Sequence, residues 1–108
     1  MTALISRDEL KKRIDDRSVT VVDALGGSYY EQQHLPGAVA LTADEVADRA
    51  AEVLPDKDAL IAVYCSNPAC GNSQAVSTAL EGLGYTQVRK YREGIQDWVE
   101  GGLPVDRG

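Results

Sequence analysis

Cysteine occurs only twice in these 108 residues and histidine once. Those three side chains are too few for a closed zinc site, which takes four ligands, so no metal is expected. No apolar run approaches the ~20 residues of a membrane span. The opening residues, MTALISRDELKK, hold no apolar stretch of the kind that directs secretion. The chain is therefore expected in the cytoplasm, away from membranes. Positive charge is also scarce. Eleven basic residues face 17 acidic ones, for a net charge of −6. No basic stripe is visible, which argues against a nucleic-acid partner and leaves the acidic surface as a solubility feature. The length fits one domain, 1–108, with a modest core that needs no disulfide staples. In the reducing cytoplasm a cysteine pair is more often catalytic, redox-active or metal-binding than a structural bridge.

Helix and strand signals alternate along the chain. Ser6 and Glu9 have capping-box spacing, with Leu10 and Ile14 on one helical face behind them. Residues 19–24, VTVVDA, form a β-branched run that ends in turn residues. SYYEQQ is a short helix in which Tyr29 and Tyr30 pack along a face, Tyr30 being the core residue of the two, and HLPGAVAL enters a brief strand through a Pro-Gly turn. Thr42 and Glu45 make a second capping box ahead of the stripe Val46, Ala50, Val53 and Leu54. ALIAVYC, 59–65, is continuously apolar, as a strand covered on both faces is. Helical spacing returns over 73–84 and in Ile95, Trp98 and Val99, with the strand TQVRKY between them. This alternation implies an α/β domain with a largely parallel sheet, where ligands bind beyond the carboxyl ends of the strands.

Both cysteines fall at such an end. Cys65 closes the apolar strand, and Ser66, Asn67, Pro68, Ala69, Cys70, Gly71 and Asn72 lead into the next helix. A loop of small and turn-forming residues can aim successive N–H groups inward, and the helix adds its positive end. Both effects favour a thiolate at Cys65, the attacking form of cysteine. The alternative is a strand-end cysteine acting as a small hydrophobe. Cys70 is open to three roles: a resolving thiol, a loop-shaping residue or an incidental one. Pro68 either presets the curl of the loop or holds the thiols apart.

Three segments resemble the single-domain rhodanese family of sulfurtransferases. VVDALGGSYYEQQHLPGAVAL is similar to the first family signature, through Asp23, Tyr30, His34, Pro36, Gly37 and Ala38. VYC followed by a loop and helix resembles the active-site segment. KYREGIQDWVEGGLPV resembles the C-terminal signature, through Gly94, Trp98, Gly102, Leu103 and Pro104. The resemblance implies a rhodanese-like α/β domain, with a mostly parallel sheet of about five strands and helices on both faces. It implies sulfane-sulfur transfer through a Cys65 persulfide, held by loop residues 66–72, with no cofactor. The partners implied are a small donor, such as thiosulfate, a polysulfide or a persulfide, and a thiol or cyanide-like acceptor. A protein persulfide is another candidate partner, and the protein is expected to be a monomer or weak dimer.

Two features depart from the family pattern. No Lys or Arg lies between Lys57 and Arg89, so the loop lacks the cation that commonly faces the substrate. The loop is also longer than usual. The longer-loop relatives are phosphatases and arsenate reductases with Cys-x5-Arg, but here that sixth position is Gly71. A phosphoryl transition state needs a guanidinium or metal, so phosphatase chemistry is disfavoured. A neutral loop disfavours thiosulfate and favours persulfide donors. The competing readings are a catalytically weak binding or redox-sensing module built on Cys65 and Cys70, and a Cys–His hydrolase using His34. His34 also suits a turn, Trp98 the core, and Asp23 either loop orientation or a turn cap.

Overall fold

The computed structural model describes residues 2–107; Met1 and Gly108, the two ends of the expected domain, lie outside the described residues. Five strands form one sheet: β1 (Ala3–Leu4), β2 (Thr20–Asp23), β3 (Val39–Ala40), β4 (Leu60–Tyr64) and β5 (Gln87–Tyr91). Their order is β1-β5-β4-β2-β3, and every neighbouring pair is parallel. The helices are α1 (Arg7–Asp15), α2 (Gly27–Gln32), α3 (Val46–Val53), α4 (Asn72–Gly82) and α5 (Gly94–Glu100).

Strand periodicity divides the core. Val22, Ile61, Val63 and Val88 face one side, with Val46 and Ala50 of α3 and Val76 and Leu80 of α4. Val21, Ala62, Tyr64 and Tyr91 face the other, with Leu10 of α1 and Ile95 and Trp98 of α5. Helices thus cover both faces, as the alternating pattern implied. Trp98 is fully buried, and its indole N–H donates to the Pro104 carbonyl at 2.7 Å.

Three local readings differ from the structure. β1 has no strand-like run of its own in the sequence; it is a two-residue edge strand whose order comes from pairing Ala3 and Leu4 with Arg89 and Lys90. The first capping box is half made. Ser6 accepts the Glu9 N–H at 3.1 Å, but the Glu9 carboxylate turns to Arg13. Tyr29 points outward, 64% exposed, while Tyr30 packs inward and donates its hydroxyl to the Ala38 carbonyl at 2.6 Å. The second box is complete: Glu45 accepts from the Thr42 N–H at 3.0 Å and its hydroxyl at 2.9 Å. A single 3-10 turn, Ala43–Glu45, precedes α3 there.

Candidate active site

The carboxyl ends of β2, β4 and β5 open on the same edge of the sheet, since all three run parallel. Cys65 follows the central strand, β4, at that edge. The loop after it turns tightly at Asn67-Pro68-Ala69-Cys70. The Cys70 N–H donates to the Asn67 carbonyl at 3.0 Å, and the Ala69 N–H to the Asn67 side-chain oxygen at 2.9 Å. Proline suits the second position of such a turn, because its fixed φ matches. Pro68 therefore presets the curl.

The other wall of the loop is α5. Ile95 N–H donates to the Cys65 carbonyl at 2.9 Å, and Gln96 N–H to the Ser66 carbonyl at 3.0 Å. The Asn67 amide also reaches the Gln96 side chain at 3.3 Å. This approach depends on Gly94. A Cβ there would lie 2.5 Å from the Ser66 carbonyl carbon, and the residue has φ +76.

The two cysteines, both free thiols, differ sharply in setting. Cys65 is 1% exposed and belongs to the core on the α3 and α4 side. Its sulfur lies 3.4 Å from the Cys70 carbonyl oxygen and 3.4 Å from the hydroxyl of buried Ser73. Burial pushes its thiol up, and the hydrogen bond it gives toward Cys70 adds to that; Ser73 acts the other way. The expected stabilisation of a Cys65 thiolate is thus opposed by desolvation. Cys70 is half-buried. Partial burial raises its thiol, but the Cys65 thiol, the Asn72 and Ser66 N–H groups and the Ser66 hydroxyl together bring it below the ordinary range. Cys70 packs against the same core cluster that contains Cys65. Pro68, Ala69, Gly71 and Asn72 are exposed, and Ser66 and Asn67 are partly buried.

Asp23 is fully buried, and its partners lie elsewhere than the cysteine loop. One oxygen accepts the N–H groups of Leu25 at 2.7 Å and Gly26 at 3.1 Å; the other accepts the Tyr64 hydroxyl at 2.6 Å. Tyr64 in turn accepts the Leu35 N–H at 3.1 Å. Asp23 caps its own turn, because the chain doubles back immediately after β2. Its link toward the site runs through Tyr64, the residue before Cys65. His34 stacks on Tyr30 with ring centroids 3.9 Å apart and donates Nδ1–H to the Tyr30 carbonyl at 2.8 Å. Its recorded partners are structural, as a turn histidine's are.

Sequence reasoning missed three residues beside the loop. Ser73 shares the spacing of the buried α4 face, with Val76, Ser77 and Leu80, which marks it as inward-facing. Gly94 was legible as a turn, but not as the contact between α5 and the loop. Lys90 comes from β5 and donates to Gln74 in the first turn of α4 at 3.2 Å. Only the sheet order brings that cation there. On the outer side, Asn67 and Pro68 border a cleft of about 230 Å³ with Glu93, Gln96, Asp97 and Glu100. The cleft beside the loop is acidic.

A parallel five-stranded sheet with a cysteine loop between its central strand and a helix defines an α/β protein with a thiol site. Residues 6–101 match the family model described as Rhodanese-like domain, and the chain belongs to that family. It is 35% identical over 104 residues to the HTH-type transcriptional regulator Rv0324 of Mycobacterium tuberculosis, covering 96% of this chain and 45% of that protein. It is 34% identical over 67 residues to Thiosulfate sulfurtransferase PspE of Escherichia coli, covering 62% of each. The chain thus spans less than two thirds of both relatives. Among solved structures, the Rhodanese-like domain of the Anabaena Alr3790 protein superposes with a TM-score of 0.84 at 27% identity, covering 100% of this chain and 81% of that one. The family therefore includes sulfurtransferases. Among the described residues, no helix is long and apolar enough to cross a membrane.

Proposed function

We propose that this protein is a sulfurtransferase that moves sulfane sulfur through a cysteine persulfide formed in the 65–72 loop. By its place at the end of the strand, Cys65 is the nucleophile the family resemblance implies. The observation that carries the reading is the loop itself: two free thiols between the central strand and α4, with the Cys65 sulfur 3.4 Å from the Ser73 hydroxyl in the first turn of that helix. A hydroxyl and a helix N-terminus stabilise a thiolate or persulfide anion without a charged side chain. The chemistry is covalent and occurs in two half-reactions. A loop thiolate attacks the outer sulfur of the donor, and the donor's remainder leaves as a thiol or sulfite. An acceptor thiolate then takes that outer sulfur and frees the loop thiol.

The surroundings favour a persulfide or polysulfide donor over thiosulfate. Thiosulfate carries two negative charges, and the loop offers it no cation, while Glu93, Asp97 and Glu100 border the adjoining cleft. Like charges at such a rim slow the approach of an anion. The test is intact mass spectrometry of the reduced protein after incubation with inorganic polysulfide, and separately with thiosulfate. A gain of one sulfur atom, removed by cyanide or thiol and larger with polysulfide, supports the proposal. No gain from either donor refutes it and favours the binding or redox-sensing module.

A further inference from the structure

We propose that the peptide unit between Cys70 and Gly71 turns over when the Cys65 thiol ionises, so that the Gly71 N–H replaces the Cys70 carbonyl beside the sulfur. Gly71 is then a positioning residue, an inference that rests on the sulfur-transfer reading with Cys65 as the nucleophile.

The Cys70 carbonyl oxygen is badly placed for an anion. It lies 3.4 Å from the Cys65 sulfur. A thiol donates to that oxygen, but a thiolate or persulfide anion has no proton to give and meets the negative end of a peptide dipole. The sulfur has little room to move away. Cys65 is fully buried with Val63 and Val76, and its carbonyl is held by the Ile95 N–H at 2.9 Å. Chemistry at Cys65 therefore gains from a motion that removes the oxygen.

The backbone permits one such motion. Gly71 has φ −88 and ψ −4, the angles of the third residue of a type I turn. Turning over the preceding peptide converts that residue to its type II form, with φ about +80°. Glycine adopts this form freely, and most other residues do not. At Cys70 the same motion changes ψ. Arg17 is the one non-glycine residue with positive φ among those described, so φ at Cys70 is negative, where both ψ regions are allowed.

The motion also disrupts little. Among the described residues, the Cys65 sulfur is the partner of the Cys70 carbonyl, and the Gly71 N–H has no partner. The bonds that hold the loop on either side belong to other peptide units. They run from the Cys70 N–H to the Asn67 carbonyl at 3.0 Å and from the Ala75 N–H to the Gly71 carbonyl at 3.1 Å. After the turn-over, the Gly71 N–H points to the side that the carbonyl occupied. The sulfur exchanges an acceptor for a donor, alongside the Ser73 hydroxyl at 3.4 Å.

The chemistry that follows balances. The Cys65 proton passes to solvent, and the thiolate attacks the outer sulfur of a persulfide donor. The donor's S–S bond breaks, and the donor leaves with the electron pair as a thiolate that solvent protonates. Cys65 keeps the outer sulfur as a persulfide anion, held by the same Gly71 N–H.

Gly71→Ala in the full chain separates the two peptide orientations. At φ −88 alanine is unstrained, and a Cβ there meets nothing within 4 Å among the described residues. Urea unfolding of the reduced variant is therefore expected to match the parent, and a clear loss of stability overturns the premise. Strain appears only in the turned-over form. Alkylation of Cys65 by iodoacetamide, located by peptide mass spectrometry, is expected to be about ten-fold slower than in the parent at neutral pH, with the two rates converging as pH rises. Gly71→Asn is expected to fall between them, because asparagine accepts the left-handed form more readily. Parent-like alkylation of Gly71→Ala overturns the turn-over. So does a rate lowered by the same factor at every pH, which marks a blocked entrance instead. Sulfur loading by inorganic polysulfide is measured in parallel. A parent that takes up no sulfur but shows the pH-dependent difference refutes sulfur transfer and supports the turn-over.

Discussion

Gly94→Ala is the perturbation that most directly tests how the cysteine loop is held. The residue begins α5 with φ +76, a left-handed conformation that costs alanine about 1–2 kcal/mol. Its missing side chain is also where the loop passes. A Cβ would lie 2.5 Å from the Ser66 carbonyl carbon and 2.6 Å from both the Cys65 and Ser66 oxygens. These are backbone atoms, so no side chain can rotate away. Restoring ordinary contact requires α5 and the loop to separate by roughly 1 Å. That separation stretches the Ile95 and Gln96 N–H bonds, now 2.9 and 3.0 Å, out of useful range. Each contributes about 1 kcal/mol.

The combined loss is therefore about 3–4 kcal/mol, a large share of a small domain's stability. Urea unfolding of the variant and the parent measures it. Gly102→Ala provides the control. Gly102 also has φ +76, but a Cβ there meets nothing within 4 Å among the described residues, so only the conformational cost of about 1–2 kcal/mol is expected. Cys65 should also alkylate faster in Gly94→Ala, as the wall over it loosens. If both glycine variants lose equal stability, or Gly94→Ala loses under about 1 kcal/mol, the contact is not holding the loop.

Ser77→Ala is expected to raise stability by about 0.5–2 kcal/mol in the same assay, because its hydroxyl is fully buried with no hydrogen-bond partner among the described residues. Ser66→Arg is expected to improve thiosulfate turnover relative to polysulfide turnover by supplying the absent cation; unchanged relative rates would count against the charge argument. Glu45 is held below its ordinary carboxylate range by the Thr42 N–H, then by the Thr42 hydroxyl and Arg49. Its stabilisation is therefore present above the unfolded carboxyl's titration and is lost as pH falls through the lower, folded value. The melting-temperature gap between the parent and Glu45→Gln should narrow with acidification over that window, and a gap independent of pH would refute the capping role.

The sheet was legible because burial imposes a period on sequence. The run at 59–65 is apolar without a break because β4 lies between β2 and β5 with helices on both faces. The capping boxes and the α3 and α4 stripes are local signals, and local geometry satisfies them except where Glu9 finds a better cation in Arg13. β1 was not legible, since two residues carry no period and their order comes from a strand far along the chain. For the same reason the approach of Gly94 to Ser66 and the arrival of Lys90 at α4 were hidden. Both arise from sheet order, which brings residues more than fifteen positions apart into contact.

The two cysteines divide along the same line between periodic and tertiary information. Ile61, Val63 and Cys65 are two apart, and side chains two apart in a strand share a face. Ile61 and Val63 point into the α3 and α4 core, so Cys65 follows them inward. Its burial was therefore contained in the alternation of β4 that marked it as a strand-end residue. The placement of Cys70 obeys no period. It depends on Asn67 accepting two N–H groups and on Pro68 fixing the bend between them, which brings the Cys70 carbonyl oxygen 3.4 Å from the Cys65 sulfur. The period of β4 buries the first thiol, and one turn sets the place of the second.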